Sequence, residues 1–411
     1  MKIKEIPITT FDAYAKSHPL GSFHQTSNYA LLMAEQDYDY DCIALVDDSD
    51  NILAASLILI KKLGLFTKYG YAPRGFLIDY YNKNILTIFT NLLKEYYDKK
   101  KVAFIKINPE IAIGEIDTKH GFMVSYNQNR IVSEALLSLD YVKIKKSTNF
   151  ETKLPMFNAI LPLKGFDFSK ISKNTRNKTK NALRKGLKFE IGSRDDIDIL
   201  FNFIKDKKTK EKLYYKEIFN AFSKNSMIDV FLVKINWQEY LISSKYSYEQ
   251  ELIRNNELIE EIANSSNPVL INKKIESDKA LSAYHDNMIA ASNGVASNTK
   301  EVYIAGSITI KYNNRINIFI SGYDKRYASY NPNYFLHYMM FEHYKHDYDF
   351  IDLNGISGDF SPNNTYYGLN KFKIGFNPKI YEFIGEFDLV INPNAYANFL
   401  GSVKMFNKMN K

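Results

Sequence analysis

Four cations stand three, four and four residues apart, Lys173, Arg176, Lys180 and Arg184, inside a stretch from Lys170 to Lys188 that holds eight Lys or Arg and no acid. On a helix that spacing puts all four on one face. Ser169 or Ser172 can cap the start, and Gly186 can take the left-handed conformation that ends a helix. A mixed-charge helix needs no partner for its solvated face, but an acid-free stripe repels itself and is relieved by a polyanion such as nucleic acid. Other reactive side chains point to bland roles. Cys42 sits in a strand-like run with no His nearby in sequence and reads as a structural thiol rather than a nucleophile. Glu342, His343 and His346 lack the metalloprotease spacing, so no metal is expected. Asp79, Asp352 and Asp359 could act as bases, yet Asp79 ends a strand and Asp352 lies in a buried one. No Arg or Gln has Gly three residues on, which argues against acetyl-CoA, and no Gly-Lys-Ser phosphate loop occurs.

The elements that must position such groups read as mixed α/β. Strand signals fall at Asp41 to Val46, Leu53 to Ile60 and Phe76 to Ile78, then a helix from Asn84 to Tyr97 and a strand from Val102 to Ile107. The unit of helix, charged turn and strand ending in Asn108 returns as Asn333 to His346 followed by Phe350 to Asn354, which suggests two related α/β domains. Between Trp237 and Asn287 the chain changes character. Leu241, Tyr248, Leu252, Ile259 and Ile262 form a coiled-coil seam, Ala263 to Pro268 breaks it, and Leu270, Ile271, Ile275 and Leu281 resume it. This is an antiparallel helical hairpin with arms of roughly 30 Å, and by itself it fits a dimerisation arm as well as RNA contact. The expected domains are 1–165, 166–236 with 288–411, and the hairpin 237–287.

Composition sets outer bounds. With 411 residues, 45% apolar and 15% aromatic, the chain can fill two cores, and its formal net charge of +8 favours polyanionic partners. The most apolar stretch, Ile52 to Ile60, is nine residues long, against about 20 for a membrane-spanning helix. The single cysteine fits a reducing compartment. Cytoplasm is therefore the expected location. A helix from Asn394 puts Tyr396, Phe399, Leu400, Val403 and Phe406 on one face, with Lys404, Lys408 and Lys411 elsewhere. It is expected to dock on the second domain, with a peripheral contact to the inner membrane leaflet as the alternative.

Several strings recur in order along nearly the whole chain: Gln25-Thr-Ser, Ala55 to Lys62, Pro73 to Tyr80, Asn108-Pro-Glu-Ile111, Ser172 to Leu187, Leu353 to Gly358, Lys371 to Phe376 and Tyr381 to Glu386. In this order the chain resembles the Fem/MurM family of non-ribosomal peptidyltransferases. The resemblance implies two acetyltransferase-like domains, with the hairpin similar to the tRNA-binding arm of seryl-tRNA synthetases. It implies transfer of Ala, Ser or Gly from aminoacyl-tRNA to the stem-peptide lysine of a lipid-linked or UDP-linked muropeptide precursor. Lys210 and Tyr214 match the family's phosphate-binding pair, with Lys losing the bidentate fork of Arg, in a groove bordered by Arg74. Lys173, Arg176, Lys180 and Arg184 are the expected tRNA contacts. Phe372 and Lys373 match the positions that stabilise the reacting carbonyl, although Lys373 alone reads as a surface lysine. Two family positions depart: Met33 stands for a lysine and Ile320 for a tyrosine.

The reaction so implied is attack of an amine on an ester, which is already activated, so no ATP, metal or other cofactor is called for. Alignment and oxyanion stabilisation suffice. Two other readings stay open, an aminoacyl-tRNA-dependent transferase acting on a protein or lipid, and a non-catalytic RNA-binding protein.

Overall fold

The computed structural model describes residues 1–64, 67–118, 122–144, 148–150, 152–207, 210–265, 267–297 and 301–409. Among these, two β-sheets carry the fold. The first runs in the order β1 (Lys2–Glu5), β2 (Asp39–Val46), β3 (Ile52–Lys62), β4 (Lys68–Ala72), β5 (Val102–Ile107), β16 (Phe387–Val390) and β8 (Tyr141–Lys143). The second runs β10 (Leu187–Gly192), β11 (Ile228–Asn236), β12 (Glu301–Tyr312), β13 (Arg315–Tyr323), β14 (Phe350–Gly355), β9 (Phe157–Pro162), β15 (Lys379–Phe383), β6 (Ala112–Asp117) and β7 (Phe122–Ser125). Each sheet takes strands from the other half of the chain: β16 joins the first, and β6, β7 and β9 join the second.

Both sheets are buried on two faces, and successive strand residues alternate between cores. Leu57 and Leu59 of β3 face a middle layer, while Ile58 and Ile60 face an outer one. The middle layer also holds Val230, Ile308 and Ile310 of the second sheet, so it lies between the sheets. Helices α1 (Ile8–Ser17), α2 (Ser27–Ala34), α6 (Ile197–Ile204) and α7 (Lys212–Ser223) fill it. On the outer face of the first sheet, α3 (Lys83–Lys99) and α4 (Asn127–Ser138) bury Leu86, Phe89, Val132 and Leu136. On the outer face of the second, α5 (Lys173–Leu183), α10 (Pro332–Tyr344) and α11 (Tyr367–Ile374) pack with Phe231, Val233 and Ile304.

The recurring sequence unit takes the same form twice. Helix α3 precedes β5, which runs parallel to β4; α10 precedes β14, which runs parallel to β13. The segment Phe76 to Ile78, expected as a strand, makes only the isolated bridge between Leu77 and Ala55. The turn after Ala72, where Arg74 has φ 54° and Gly75 N donates to the Ala72 carbonyl at 3.1 Å, separates this segment from β4.

The hairpin consists of α8 (Trp237–Asn264) and α9 (Pro268–Ala296), so each arm is about 42 Å at about 1.5 Å per residue, longer than expected. Its seam also differs. Leu252 and Ile259 are 39% and 50% exposed, while Tyr240, Ser244, Glu251, Asn255 and Leu258 are buried. The buried line is thus turned by about a sixth of a revolution from the apolar one. Polar bonding sets it: Asn255 Nδ2 donates to Ser277 Oγ (3.0 Å) and Asp278 Oδ1 (2.9 Å), and Ser277 Oγ donates to Glu251 Oε1 (2.7 Å).

Helix α12 (Pro393–Met409) docks on the first sheet rather than on the second domain. Phe104 of β5 holds Tyr396 and Phe399 with ring centroids 5.1 and 4.9 Å away. Leu400 and Val403 are exposed. Lys411 and the side chains of Lys404, Phe406 and Lys408 lie outside the described residues. Among the described residues, no helix is long and apolar enough to cross a membrane.

Candidate active site

Residues from both sheets converge on one cleft of about 280 Å³, lined by Phe23, His24, Arg74, Glu110, Lys153, Asn158, Phe319, Asp352 and Asn354 among others. Its floor follows from the two parallel pairs. In the second sheet, pairing of β13 with β14 stops at Asn317 and Asp352, although β13 continues to Tyr323. Asn354, held at φ 68°, fills the opening by donating from Nδ2 to the carbonyls of Ile318 (3.2 Å) and Phe319 (3.4 Å). A short polar side chain tolerates that left-handed backbone better than most.

Charge in the cleft is tightly paired. The Arg315 guanidinium bonds to Glu110 and, at 2.5 Å, to Asp352. Burial opposes its charge, but the two carboxylates outweigh burial and hold its pKa above the ordinary arginine value. Arg74 Nε lies 3.6 Å from Glu110 and its guanidinium sits over the Phe383 ring. Gln25, wholly buried, donates to the carbonyls of Leu57 (3.2 Å) and Pro73 (2.9 Å) and accepts from Leu57 N (2.9 Å), which fixes the turn that carries Arg74. Burial, then Arg74 and Arg315, keep the His24 imidazole well below the usual histidine range, so it is neutral at pH 7. Burial likewise lowers Lys153, whose ammonium lies 4.5 Å from the Tyr71 ring centroid.

Lys373 is buried, at 7% exposure, which rules out a surface lysine. Its Nζ donates to the carbonyls of Gly355 (2.5 Å) and Asn354 (3.2 Å), so Asn354 links this ammonium to the cleft wall. Phe372 packs edge-on against Tyr334, His337 and Phe376. Three residues on, Gly375 lies where an added Cβ would clash with Thr175 Oγ1, which locks α11 against the start of α5.

The structure brings Arg74 and Lys373 to this one region but not Lys210 and Tyr214, which do not line the cleft. Lys210 is exposed, with its ammonium 5.5 Å from the Tyr214 ring centroid. Tyr214 packs against the middle layer, as Met33 and Ile320 do, and burial pushes its hydroxyl up to about 12. On α5, Lys173, Lys180 and Arg184 are exposed, opposite the buried Thr175, Thr179 and Ala182. Ser172 is the N-cap and Gly186 takes φ +62° beyond the end, as expected. Arg176 departs from the stripe, because its guanidinium donates to the carbonyls of Ser169 and Ile171.

Sequence reasoning missed Asn158, Arg315, Glu110 and Lys153. The only signal was Glu110 in the Asn108-Pro-Glu-Ile string, since ion pairs across sheets leave no periodicity. The discounted groups are placed as structural: Asp352 accepts from Arg315, Asn158 and Asn354, Cys42 is buried with its thiol pushed up to about 12, and Glu342 pairs with Lys345 at 2.6 Å.

The comparisons agree along the full length. A sequence profile of the FemAB family matches residues 6–400, so the chain belongs to the FemAB family. It is 24% identical to the aminoacyltransferase FemA of Staphylococcus aureus (strain bovine RF122 / ET3-1), over 98% of this chain and 99% of that one. It is 26% identical to a lipid II:glycine glycyltransferase of Staphylococcus epidermidis, over 94% of this chain and 92% of the relative. A crystal structure of FemX superposes with a TM-score of 0.75 at 21% identity, covering 97% of this chain and 99% of that one, and shows the shared fold.

Proposed function

We propose that this member of the FemAB family moves an amino acid from aminoacyl-tRNA onto the stem-peptide amine of a peptidoglycan precursor, with lipid II as the favoured acceptor. The observation that carries the reading is the cleft itself: an opening between splayed strands, with a buried ammonium, Lys373, tied to its wall. Ester aminolysis needs two substrates held in line and a donor for the developing oxyanion, and no cofactor. The relatives' names, an aminoacyltransferase and a lipid II:glycine glycyltransferase, supply the substrate class.

In this reading the exposed cations of α5, with the hairpin, hold tRNA, and Lys210 with Tyr214 holds precursor phosphate. Lys373 and the Phe372 amide stabilise the reacting carbonyl. Substituting Lys210 by Ala should raise the precursor concentration needed for half-maximal rate and leave the saturated rate nearly unchanged, because phosphate is bound equally in ground and transition states.

The test is to incubate the protein with tRNA carrying a labelled amino acid and, separately, lipid-linked precursor, UDP-linked precursor and a protein acceptor. Label is expected on lipid-linked precursor. Label on the protein alone would replace the acceptor, and label remaining on tRNA in every case would leave an RNA-binding protein.

A further inference from the structure

Taken alone, the hairpin is a poor partner for RNA. Helices α8 and α9 hold nine Asp or Glu against five Lys or Arg, so the arm as a whole is net negative and repels phosphate. Its root differs. There a groove of about 280 Å³ opens between the end of α5 and one side of the hairpin, and no acid lines it. The two walls are held together closely: an added Cβ at Gly186 would meet Tyr240 Cα at 2.9 Å, so the end of α5 is pressed against the first turn of α8.

On the α5 wall stand Asn181, Arg184 and Lys185. Lys185 is occupied, its Nζ donating to the Ser329 carbonyl at 2.9 Å and lying 4.8 Å from the Tyr330 ring centroid. Arg184 is exposed, and its guanidinium has no partner among the described residues. On the α9 wall stands Tyr284, half-buried, with neither a hydrogen bond nor a ring partner among the described residues. Beside it, Asn287 Oδ1 accepts from the Tyr240 hydroxyl at 2.9 Å, which leaves Nδ2 to donate elsewhere. Ser247, Ala280 and Ala283 complete the wall with side chains too short to fill the space. A free guanidinium, a free aromatic ring and an amide donor suit an unpaired nucleotide, which offers phosphate, base face and base edge to them in turn. The volume is close to that of the smallest ligand pockets, about 300 Å³, and admits a base but not a duplex.

We propose that this groove takes one base of the unpaired 3′ strand of aminoacyl-tRNA, stacked on Tyr284 with its phosphate on Arg184. The assignment rests on the tRNA-dependent transfer proposed above. Helix α5 connects the groove to the other end of the path. Its N-cap, Ser172, donates from N to the Gly375 carbonyl at 2.9 Å, just past α11. Its C-cap, Arg184, lies about 18 Å further along the axis at about 1.5 Å per residue. A few nucleotides of single strand cover that span, with the exposed Lys173 and Lys180 between its ends. A strand seated in the groove therefore runs along α5 toward the helix that carries Phe372 and Lys373.

The test compares binding of a blunt RNA duplex with binding of the same duplex carrying an unpaired 3′ extension that ends in CCA. Wild type is expected to bind the extended RNA about tenfold or more tightly, the usual gain from one base stacked on an aromatic ring. Tyr284→Ala should lose most of that preference and keep the wild-type salt slope, because stacking releases no counterions. Tyr284→Phe, which retains the ring, should keep the preference. Ala283→Leu places a larger side chain in the groove at an exposed position of a helix and should also lose it, which decides the matter if Tyr284→Ala does not fold. Equal binding of the two RNAs by wild type overturns the assignment, as does a full preference in folded Tyr284→Ala or, failing that variant, in Ala283→Leu. Wild-type protein that binds neither RNA overturns the tRNA reading itself, an outcome distinct from tight binding that ignores the extension.

Discussion

Asn108 and Asn354 close the same unit of helix, turn and strand in the two halves of the chain, yet they do different work. In the first sheet, β4 and β5 stay paired to Ala72 and Ile107, and β4 ends at Ala72. Asn108 seals that end: it accepts from Arg74 N at 2.8 Å and donates to the Tyr71 hydroxyl at 3.1 Å and to Glu386 at 3.4 Å. In the second sheet, β13 and β14 part after Asn317 and Asp352, and Asn354 bridges the gap with its amide while its carbonyl takes the Lys373 ammonium. One copy is closed and satisfied by its own side chains. The other is open and borders the cleft. A repeated unit can thus keep its outline while one copy closes on itself and the other opens onto the cleft.

The largest expected effect falls on the open copy. Lys373→Met should lower the transfer rate about 10²- to 10³-fold with both substrates saturating, the usual cost of one preorganised oxyanion donor. The same change leaves the carbonyls of Asn354 and Gly355 without the ammonium they accept from, so a stability loss of about 1–3 kcal/mol should appear in denaturant unfolding. A mutant equally active but less stable would make Lys373 a strut and the two copies alike.

A smaller effect concerns the helices covering each sheet. Reversing Lys173, Lys180 and Arg184 on α5 to Glu should flatten the salt dependence of tRNA binding by about one unit for each phosphate no longer neutralised. Reversing Lys83 and Lys99 on α3, over the first sheet, should leave the slope unchanged. Equal effects from both would place tRNA across the whole basic surface. Arg176, tied to backbone carbonyls, should contribute less than its three neighbours.

The smallest effect is a non-event in the closed half. Burial pushes the Cys42 thiol up to about 12, so at pH 8 only about one part in ten thousand is thiolate, the reactive form. Iodoacetamide should label native protein far more slowly than protein unfolded in denaturant. Rapid labelling of the native form would reopen a nucleophile that the burial of Cys42 excludes.

Much of the fold was legible because burial writes periodicity. The helix at α3, the strands at β2, β3 and β5, the capped cationic α5 and the hairpin all follow from apolar spacing and end signals. The hairpin seam was misplaced because Glu251, Asn255 and Ser277 bury by bonding to one another, and a polar network has no apolar stripe to find. The same reason hid Asn158 and Arg315: their partners lie on other strands, brought close only by strand exchange between the sheets. Lys373 was legible through the family string alone, since a lysine buried on backbone carbonyls looks like any surface lysine in sequence.

The central claim is that chemistry belongs to the open copy and support to the closed one, and paired single-turnover transfer by Asn354→Ala and Asn108→Ala tests it most directly. Labelled aminoacyl-tRNA bound to each enzyme would be mixed with saturating lipid-linked precursor, and melting measured alongside. Asn354→Ala is expected to slow transfer at least about tenfold, because the splayed strands lose the side-chain amide that bridges them and the left-handed backbone whose carbonyl holds the Lys373 ammonium loses that support. Asn108→Ala is expected to cost about 2–4 kcal/mol of stability by stranding several buried partners, with the saturated rate within about twofold of wild type. A slow but stable Asn108→Ala beside a fast Asn354→Ala would contradict the account.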